Sequence, residues 1–451
     1  MDDFIGSSAL VPQEYVPNYE ENEAGWPSVV SLDYNRSDKC TTTLKWRSLV
    51  GSKSDGRPKV SVSKIGEVQA LVDFIESDSD LAHRLALPSG GWEGKPDRDR
   101  IEFDVAIFLR EILGRAHSTG ILDVAEMVLI YCRIERSRLA EHLIGDLIVP
   151  LPLVKFPETD ELKLGDGVSI VRLDEGTQRS RARSTRDTLN AFLSAAATHA
   201  VRIQSVSYDN PHWLRRMFGF WGNGTDLTRV DLACQAIDIA TGAHVGYAEV
   251  LIRPLDWAEE WTYDLPAIHE VATIRRHHEK LAERGWHGPG TTVESSAAAR
   301  IPTTFQNLSS SNLRVALAAR RLFQSNLRTD DDDVVVDCCI GIEALVGDEH
   351  DELTHRMAQR AAVVLARRGH DPHSTYAITK KVYGERSSIV HGVVRKSKSF
   401  KVKGQEYHTS STARWLLREL LTSATSVSPA WTPAAIDQRI LASALIPDPE
   451  G

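Results

Sequence analysis

Arg386 and His391, five positions apart, are the residues of this 451-residue chain whose types best suit acid–base chemistry on a phosphate ester. A histidine titrates near neutral pH and can take or give a proton, while an arginine offers a fixed charge and a planar fork of donors to phosphate oxygens. RNA supplies its own nucleophile, the 2′-hydroxyl, so this pair needs no metal and no cofactor. The residues favour metal-independent RNA cleavage that leaves a 2′,3′-cyclic phosphate.

The spacing alone carries little weight, because the chain contains it twice. Arg368 and His373 are also five apart, but the glycine and the proline between them predict a loop. Five residues of a regular helix rise about 7.5 Å and turn about 140°, so the side chains of Arg386 and His391 diverge on such a helix. They converge only where the helix loosens near His391, which Gly392 permits, or where a second subunit supplies the partner.

A purely structural role for this pair is the competing interpretation. Arg386 then pairs with Glu343 or Glu385 as an ordinary helix residue, and His391 caps the C-terminus of its helix, where a cation interacts favourably with the helix dipole. The function that accompanies this interpretation is a non-catalytic module for RNA binding, dimerisation or protein interaction.

The sequence around the pair predicts five amphipathic helices, because apolar residues recur there at helical spacing. Serine and aspartate residues suit their N-termini, proline suits a first turn, and Gly369 suits the end of the third helix. The predicted starts are Ser309 to Ser311, Asp330, Asp351, Pro372 and Ser410. Helices with short links of this kind predict a bundle.

The bundle is the basic part of an acidic chain. Net charge is −9, yet residues 309–428 carry 18 basic and 14 acidic side chains, a net charge of +4. No acidic residue lies between Arg386 and Gln405, so a polyanion is attracted there. A solvated loop between helices is the alternative. The predicted RNA-binding residues are Arg395, Lys396, Lys398, Lys401 and Lys403.

Three segments of this region together resemble the Apea-like branch of the HEPN superfamily. They are residues 340–345, 352–362 and 382–392, and their order and spacing agree with that family over about 120 residues. The resemblance implies an RNA-cleaving helical domain that forms homodimers, in which two Arg-x-x-x-x-His motifs meet at one interface. It identifies Arg386 and His391 as the catalytic pair.

The resemblance also implies supporting residues and a biological setting. Glu343, Tyr383 and Ser387 lie within its segments, and Ser387 and Ser388 follow the arginine where many HEPN nucleases outside this branch have Asn, Asp or His. The family is common in host defence by abortive infection and in toxin systems. In that setting the N-terminal region senses a trigger, such as a phage component, and restrains or releases the nuclease.

Residues 1–300 show mixed helical and strand patterns, with a division into two subdomains near residue 150 as one alternative. Segments 66–76 and 104–142 predict helices, whereas 168–173, 233–239 and 245–252 favour strands, the last two as a hairpin. Residues 188–199 favour a helix. The arginines just before that helix predict a solvated loop or, alternatively, a nucleic-acid contact; they are Arg179, Arg181, Arg183 and Arg186.

The expected fold class is α+β overall. A mixed region covers residues 1–300, an all-α HEPN bundle covers 301–428, and a tail covers 429–451, with the main boundary in the Gly/Pro-rich stretch 285–304. The five cysteines are scattered, the chain starts with acidic residues, and no apolar run approaches the ~18 residues that span a bilayer. These features predict a cytoplasmic protein that does not contact a membrane.

Overall fold

The computed structural model combines helices with antiparallel sheet, so the chain is α+β. None of the described helices is both long and apolar enough to cross a lipid bilayer. The described residues are 11–12, 18–21, 27–30, 47–48, 65–86, 96–118, 124–184, 191–210, 226–258, 265–279, 290–348, 353–393, 397–427 and 430–444.

In the part of the N-terminal region that the structure describes, two small strand pairs and four helices come first. The strand pairs are antiparallel: β1 (Val11–Pro12) with β4 (Arg47–Ser48), and β2 (Asn18–Glu21) with β3 (Pro27–Val30). The helices are α1 (Gly66–Ser77), α2 (Ser79–Leu85), α3 (Arg98–Ser118) and α4 (Val124–Leu139), which confirms helices within the two predicted segments. Their buried side chains, such as Val72 and Ile134, form two small clusters apart from the main core.

A six-stranded antiparallel sheet follows, in the order β11-β10-β5-β9-β8-β7. A short parallel pair, β6 (Val154–Lys155) and β12 (Thr291–Thr292), lies outside it. The sheet strands are β5 (His142–Pro152), β7 (Glu161–Gly165), β8 (Val168–Arg172), β9 (Ala197–Asp209), β10 (Tyr247–Pro254) and β11 (His269–Arg276). The strands predicted at 168–173 and 245–252 are therefore confirmed as β8 and β10.

The central strand β5 contains Pro150 and Pro152, and the pairing explains how it accommodates them. β10 pairs with residues 145–148 of β5, whereas β9 continues alongside to Pro152. The prolines thus lie where β5 has a strand on one side only, which tolerates a residue without an N–H donor. A subdomain division near residue 150 would cut this strand, and the change from helices to sheet occurs near residue 140 instead.

Within the described residues around the sheet, the helices are α5 (Glu175–Ser184), α6 (Ala191–Ser194) and α7 (Thr228–Thr241). The strand and hairpin predicted from 233–239 are wrong, because this segment is part of α7. Residues 233–240 are all buried, so the helix shows no alternation of an apolar and a polar face. The helix predicted at 188–199 is wrong from Ala197 onward, since β9 begins there and pairs with β5, and residues 188–190 lie outside the described residues.

The C-terminal bundle has its helix starts mostly where the sequence predicts them. Asp330 and Asp371 cap their helices, with Pro372 in the first turn, but Asn312 rather than a preceding serine caps α10. The elements are α8 (Ser295–Ala298), α9 (Ile301–Ser309), α10 (Leu313–Leu327), α11 (Asp331–Val346), α12 (Leu353–Ala366), α13 (Pro372–Val390), β13 (Ser399–Val402), β14 (Gln405–His408), α14 (Thr409–Thr425) and α15 (Pro433–Ala444).

Two expectations about the bundle need correction. It is not all-α, because β13 and β14 form an antiparallel hairpin between α13 and α14, with Lys403 and Gly404 at positive φ in the turn. The segment predicted as a tail contains α15, which is tied to the bundle. The indole N–H of Trp431 donates to the Leu345 carbonyl, and the buried guanidinium of Arg360 pairs with Asp437 at 2.6 Å.

The hydrophobic core runs without interruption from the sheet into the bundle. One cluster includes Val201 of β9, Ile237 of α7 and Leu417 of α14. A buried polar contact reinforces this junction: the wholly buried Asp238 carboxylate accepts from Arg418 at 3.0 Å and from Asn326 at 2.5 Å. The boundary predicted at 285–304 is therefore not a gap in packing, and the described parts of the sheet and the bundle share one interior.

Candidate functional site

The helix that carries the predicted pair, α13, stays regular to its end. The His391 N–H donates to the Ser387 carbonyl at 3.1 Å, as in an uninterrupted helix. Gly392 then adopts φ +68°, and the N–H groups of Gly392 and Val393 donate to the carbonyls of Ile389 and Ser388. This is a Schellman motif, in which a left-handed glycine satisfies the last carbonyls of the helix. His391 is therefore the exposed C-cap residue of α13.

Arg386 lies one turn earlier and faces the neighbouring helix α11. Its Nη2 atom is 3.6 Å from Glu343 Oε1, and both side chains remain about a quarter exposed, at 28% and 27%. The guanidinium lies 5.7 Å from the centre of the Tyr383 ring, within reach of a cation–π interaction. Arg386 is thus positioned by α11 and by its own helix while part of it faces solvent.

The Tyr383 hydroxyl completes this small cluster by donating a short hydrogen bond to Glu343 Oε1. Burial, and then the bond to the Glu343 carboxylate, raise the pKa of Tyr383 well above its ordinary value. The phenol therefore keeps its proton at neutral pH and remains a donor. Beneath the cluster lies Cys339, whose pKa burial raises well above its usual range. Two of the predicted supporting residues, Glu343 and Tyr383, are accordingly in contact with each other and near Arg386.

Arg386 and His391 diverge within a single chain. The regular helix between them implies a separation of about 7.5 Å along the axis and about 140° around it. Loosening of the helix before His391, one of the two routes to convergence, does not occur, because the His391 N–H keeps its helical bond. A second copy of the chain is the remaining route. The third supporting residue, Ser387, contributes its carbonyl to that bond, and its side chain is half-buried.

The predicted RNA-binding lysines are carried by the hairpin and its approach. Lys398 Nζ is 2.9 Å from Asp331 Oδ2, and Lys403 Nζ is 2.7 Å from Asp371 Oδ2. Lys401 is exposed on β13. These contacts place the hairpin at the N-terminal ends of α11 and α13, which is the end of the bundle opposite Arg386. Arg395 and Lys396 lie outside the described residues.

The second Arg-x-x-x-x-His occurrence is structural, as its loop context predicts. Arg368 follows α12, and its Nε atom donates to Glu419 at 2.8 Å. His373 lies in the first turn of α13, where it is exposed. The two residues lie on either side of the turn at Gly369, which adopts φ +87°.

The solvated loop predicted for the arginine run of the N-terminal region needs correction. Arg179 and Arg181 lie on α5 rather than in a solvated loop, and the Arg181 side chain is wholly buried. Its Nη2 atom is 2.8 Å from Glu249 Oε2 on β10. A charge is stable inside a protein when it is paired in this way, so Arg181 is part of the packing. The side chains of Arg183 and Arg186 lie outside the described residues.

Sequence reasoning missed a cleft at the N-terminal end of α13. It has a volume of about 410 Å³ and lies between α13, the hairpin and α14. Its lining includes His370, Tyr407 and Trp415, and the half-buried Trp415 lies on α14. The signal was weak, because the lining residues come from three separate segments. Within the described ranges, no cluster of three or more His, Cys, Asp or Glu side chains is arranged to hold a metal ion.

Comparison of the chain with protein-family models, with curated proteins and with solved structures finds no match in any of the three. The likeness to HEPN domains therefore rests on the residues of three sequence segments, two of which contribute the cluster of Glu343, Tyr383 and Arg386.

Proposed function

We propose that this chain is a metal-independent endoribonuclease of the HEPN type. The observation that carries the proposal is the arrangement at the C-terminal end of α13. There Arg386 is held by Glu343 beside the Tyr383 ring, and the exposed His391 follows at the end of the same helix. An anchored cation next to an accessible imidazole is suited to phosphate-ester chemistry.

The proposed reaction uses the 2′-hydroxyl of the substrate. His391 accepts the proton of this hydroxyl, the 2′-oxygen attacks the adjacent phosphorus, and the bond from phosphorus to the 5′-oxygen breaks. The departing 5′-oxygen takes up a proton, and the products are a 2′,3′-cyclic phosphate and a 5′-hydroxyl. Arg386 donates hydrogen bonds to the non-bridging oxygens, where negative charge increases in the transition state.

The proposed active form is a homodimer, because the pair diverges in one chain. His391 of the partner subunit then supplies the second proton-transfer group for the leaving oxygen. The surface next to His391 suits such contact, since Val390 and Val393 are 53% and 58% exposed and apolar. Contact with a second copy would cover these two side chains and remove their apolar surface from water.

The biological role that accompanies this activity is host defence by abortive infection, or toxin-like RNA cleavage. In this proposal the sheet and the N-terminal helices receive a trigger, such as a phage component, and the shared core transmits it to the bundle. The continuous core supports this idea, because Asp238 of α7 accepts a hydrogen bond from Arg418 of α14 at the junction of the sheet and the bundle. The proposed location is the cytoplasm.

The test is incubation of the purified protein with total bacterial RNA in EDTA, followed by analysis of the fragment ends. We expect cyclic phosphates from the wild type and none from His391→Ala. His373→Ala is the matched control, because it removes another exposed histidine of the same helix. Cleavage that persists in His391→Ala, or that is lost equally in both variants, would contradict the proposed role of His391.

A non-catalytic RNA-binding or dimerisation module is the second candidate function. It is favoured by the C-cap position of His391 and by the ion pair of Arg386 with Glu343, both of which are ordinary structural roles. RNA binding or dimerisation without cleavage, in the presence of an activating phage lysate as well as in its absence, would support this candidate against the nuclease.

A further inference from the structure

The cleft at the N-terminal end of α13 has walls of different chemistry. Trp415 of α14 and Tyr407 of β14 supply aromatic surface, and His370 lies edge-on to the Trp415 ring with ring centres 5.3 Å apart. Ser411 and Thr412 line the cleft with hydroxyl groups. With a volume of about 410 Å³, it is within the range of cavities that bind small molecules.

The charged groups at this cleft are already neutralised. Asp371 pairs with Lys403 at 2.7 Å and accepts from Ser374, while Glu419 behind the cleft accepts from Arg368 at 2.8 Å and lies 3.3 Å from His370. Each carboxylate thus has a cationic neighbour. An ion gains little in such a place, so the cleft suits an uncharged group.

Hydrogen-bonding capacity remains on the same walls. Ser411 and Thr412 donate their protons to the His408 carbonyl, at 3.1 and 2.7 Å, so their oxygen lone pairs are left to accept. Among the described residues, none accepts a hydrogen bond from the indole N–H of Trp415. An aromatic surface bordered by both donors and acceptors is complementary to a flat ring that carries acceptors and donors on its edge.

We propose that this cleft binds one unpaired base of a single-stranded RNA, as a subsite remote from the cleavage pair. The proposal rests on the proposed ribonuclease function for its choice of ligand. Bases stack on aromatic side chains irrespective of sequence, and single-stranded RNA exposes the hydrogen-bonding edges that the cleft can read.

The length of α13 sets the length of RNA that would contact both sites. Asp371 and Arg386 are separated by about 22 Å along the helix axis. His391 is exposed at the C-terminal end of α13, and the hairpin at the other end carries the exposed Lys401. An RNA strand that places one base in the cleft and its scissile phosphate at Arg386 therefore spans about this distance. The substrate class is single-stranded RNA that spans both ends.

The first measurement follows Trp415 by fluorine NMR in protein labelled with 5-fluorotryptophan, in a His391→Ala background that does not cleave RNA. The Trp415→Phe variant identifies the resonance. Free adenosine or cytidine is expected to shift it in a saturable way, whereas inorganic phosphate and glucose are expected to leave it in place. A resonance unmoved by nucleosides, or moved by glucose or phosphate instead, overturns the proposal.

The second measurement is the affinity of the same background for a single-stranded RNA longer than the span between the two sites. Trp415→Leu keeps an apolar side chain but removes the stacking surface, and we expect it to weaken binding about tenfold. Tyr376→Leu is the matched control, since Tyr376 is an aromatic residue of α13 outside the cleft. Equal losses in variants with equal thermal stability overturn the proposal.

These experiments distinguish a failure of the proposed base-binding cleft from a failure of the proposed ribonuclease function. Nucleoside binding in the cleft without any cleavage by the wild type supports the cleft and counts against the proposed function. Cleavage by the wild type without nucleoside binding supports the nuclease and overturns the subsite.

Discussion

The two ends of α13 use similar residue types in different ways. At the N-terminal end, Arg368 and His370 both contact Glu419, and Asp371 is occupied by Lys403 and the helix cap. At the C-terminal end, Arg386 has an ion-pair partner at the longer distance of 3.6 Å, and His391 is exposed. The first end has a cleft and paired charges, and the second has a partly exposed arginine and an exposed histidine. A base fits one and a phosphate fits the other, which is why we assign them different parts of one RNA strand.

The largest expected difference between the ends concerns their arginines. Arg386→Ala is expected to lower the single-turnover cleavage rate by about 10²–10³-fold, because it removes a donor to the charge that develops on the phosphate. Arg367→Ala removes an exposed arginine near the opposite end and is expected to leave the rate unchanged. Equal rates for the two variants at saturating RNA would show that the ends do not differ in this way.

Two glycines allow a second matched comparison of the ends, with an expected effect smaller than that of the arginine substitutions. Gly369 precedes α13 and Gly392 follows it, both have positive φ, and an added Cβ meets nothing within 4 Å in either place. Alanine is disfavoured at such φ values, so each Gly→Ala variant is expected to lose about 1 kcal/mol of unfolding free energy in urea. Only Gly392→Ala is expected to reduce cleavage as well, because it displaces the residue after His391. Loss of cleavage in Gly369→Ala alone would reverse the assignment of the two ends.

The smallest expected effect is the pH dependence of thermal stability that comes from Asp371, the N-cap residue of α13. Lys403 and then Ser374 hold the pKa of Asp371 well below its usual range. A carboxylate with a depressed folded-state pKa contributes stability above its unfolded pKa, near 3.8, and the contribution is lost as the pH falls through the folded value. Asp371→Asn is therefore expected to show a slightly smaller drop in Tm between pH 5 and pH 2 than the wild type. An unchanged or larger drop would contradict the role of this ion pair.

Local signals predicted the bundle helices well because caps act over a few residues. Asp330 and Pro372 mark helix starts through contacts within one turn, and the structure has helices starting there. The strands and helices around the sheet were harder to predict. α7 is buried on all sides and was predicted as a strand, while β9 begins in an alanine-rich segment and was predicted as a helix. In both cases burial by distant parts of the chain outweighed local preference.

The candidate site also combines features that depend on local sequence with features that depend on packing between distant segments. The sequence by itself determined the residue types at positions 386 and 391, their spacing on one helix and the glycine that ends it, because these depend on neighbours within a turn. Only the tertiary structure decided that Arg386 faces Glu343 on α11, that Arg181 is buried against Glu249, and that three separate segments enclose the cleft at Trp415. The physical reason is that side-chain partners are chosen by packing between elements, and packing joins residues that are far apart in the chain.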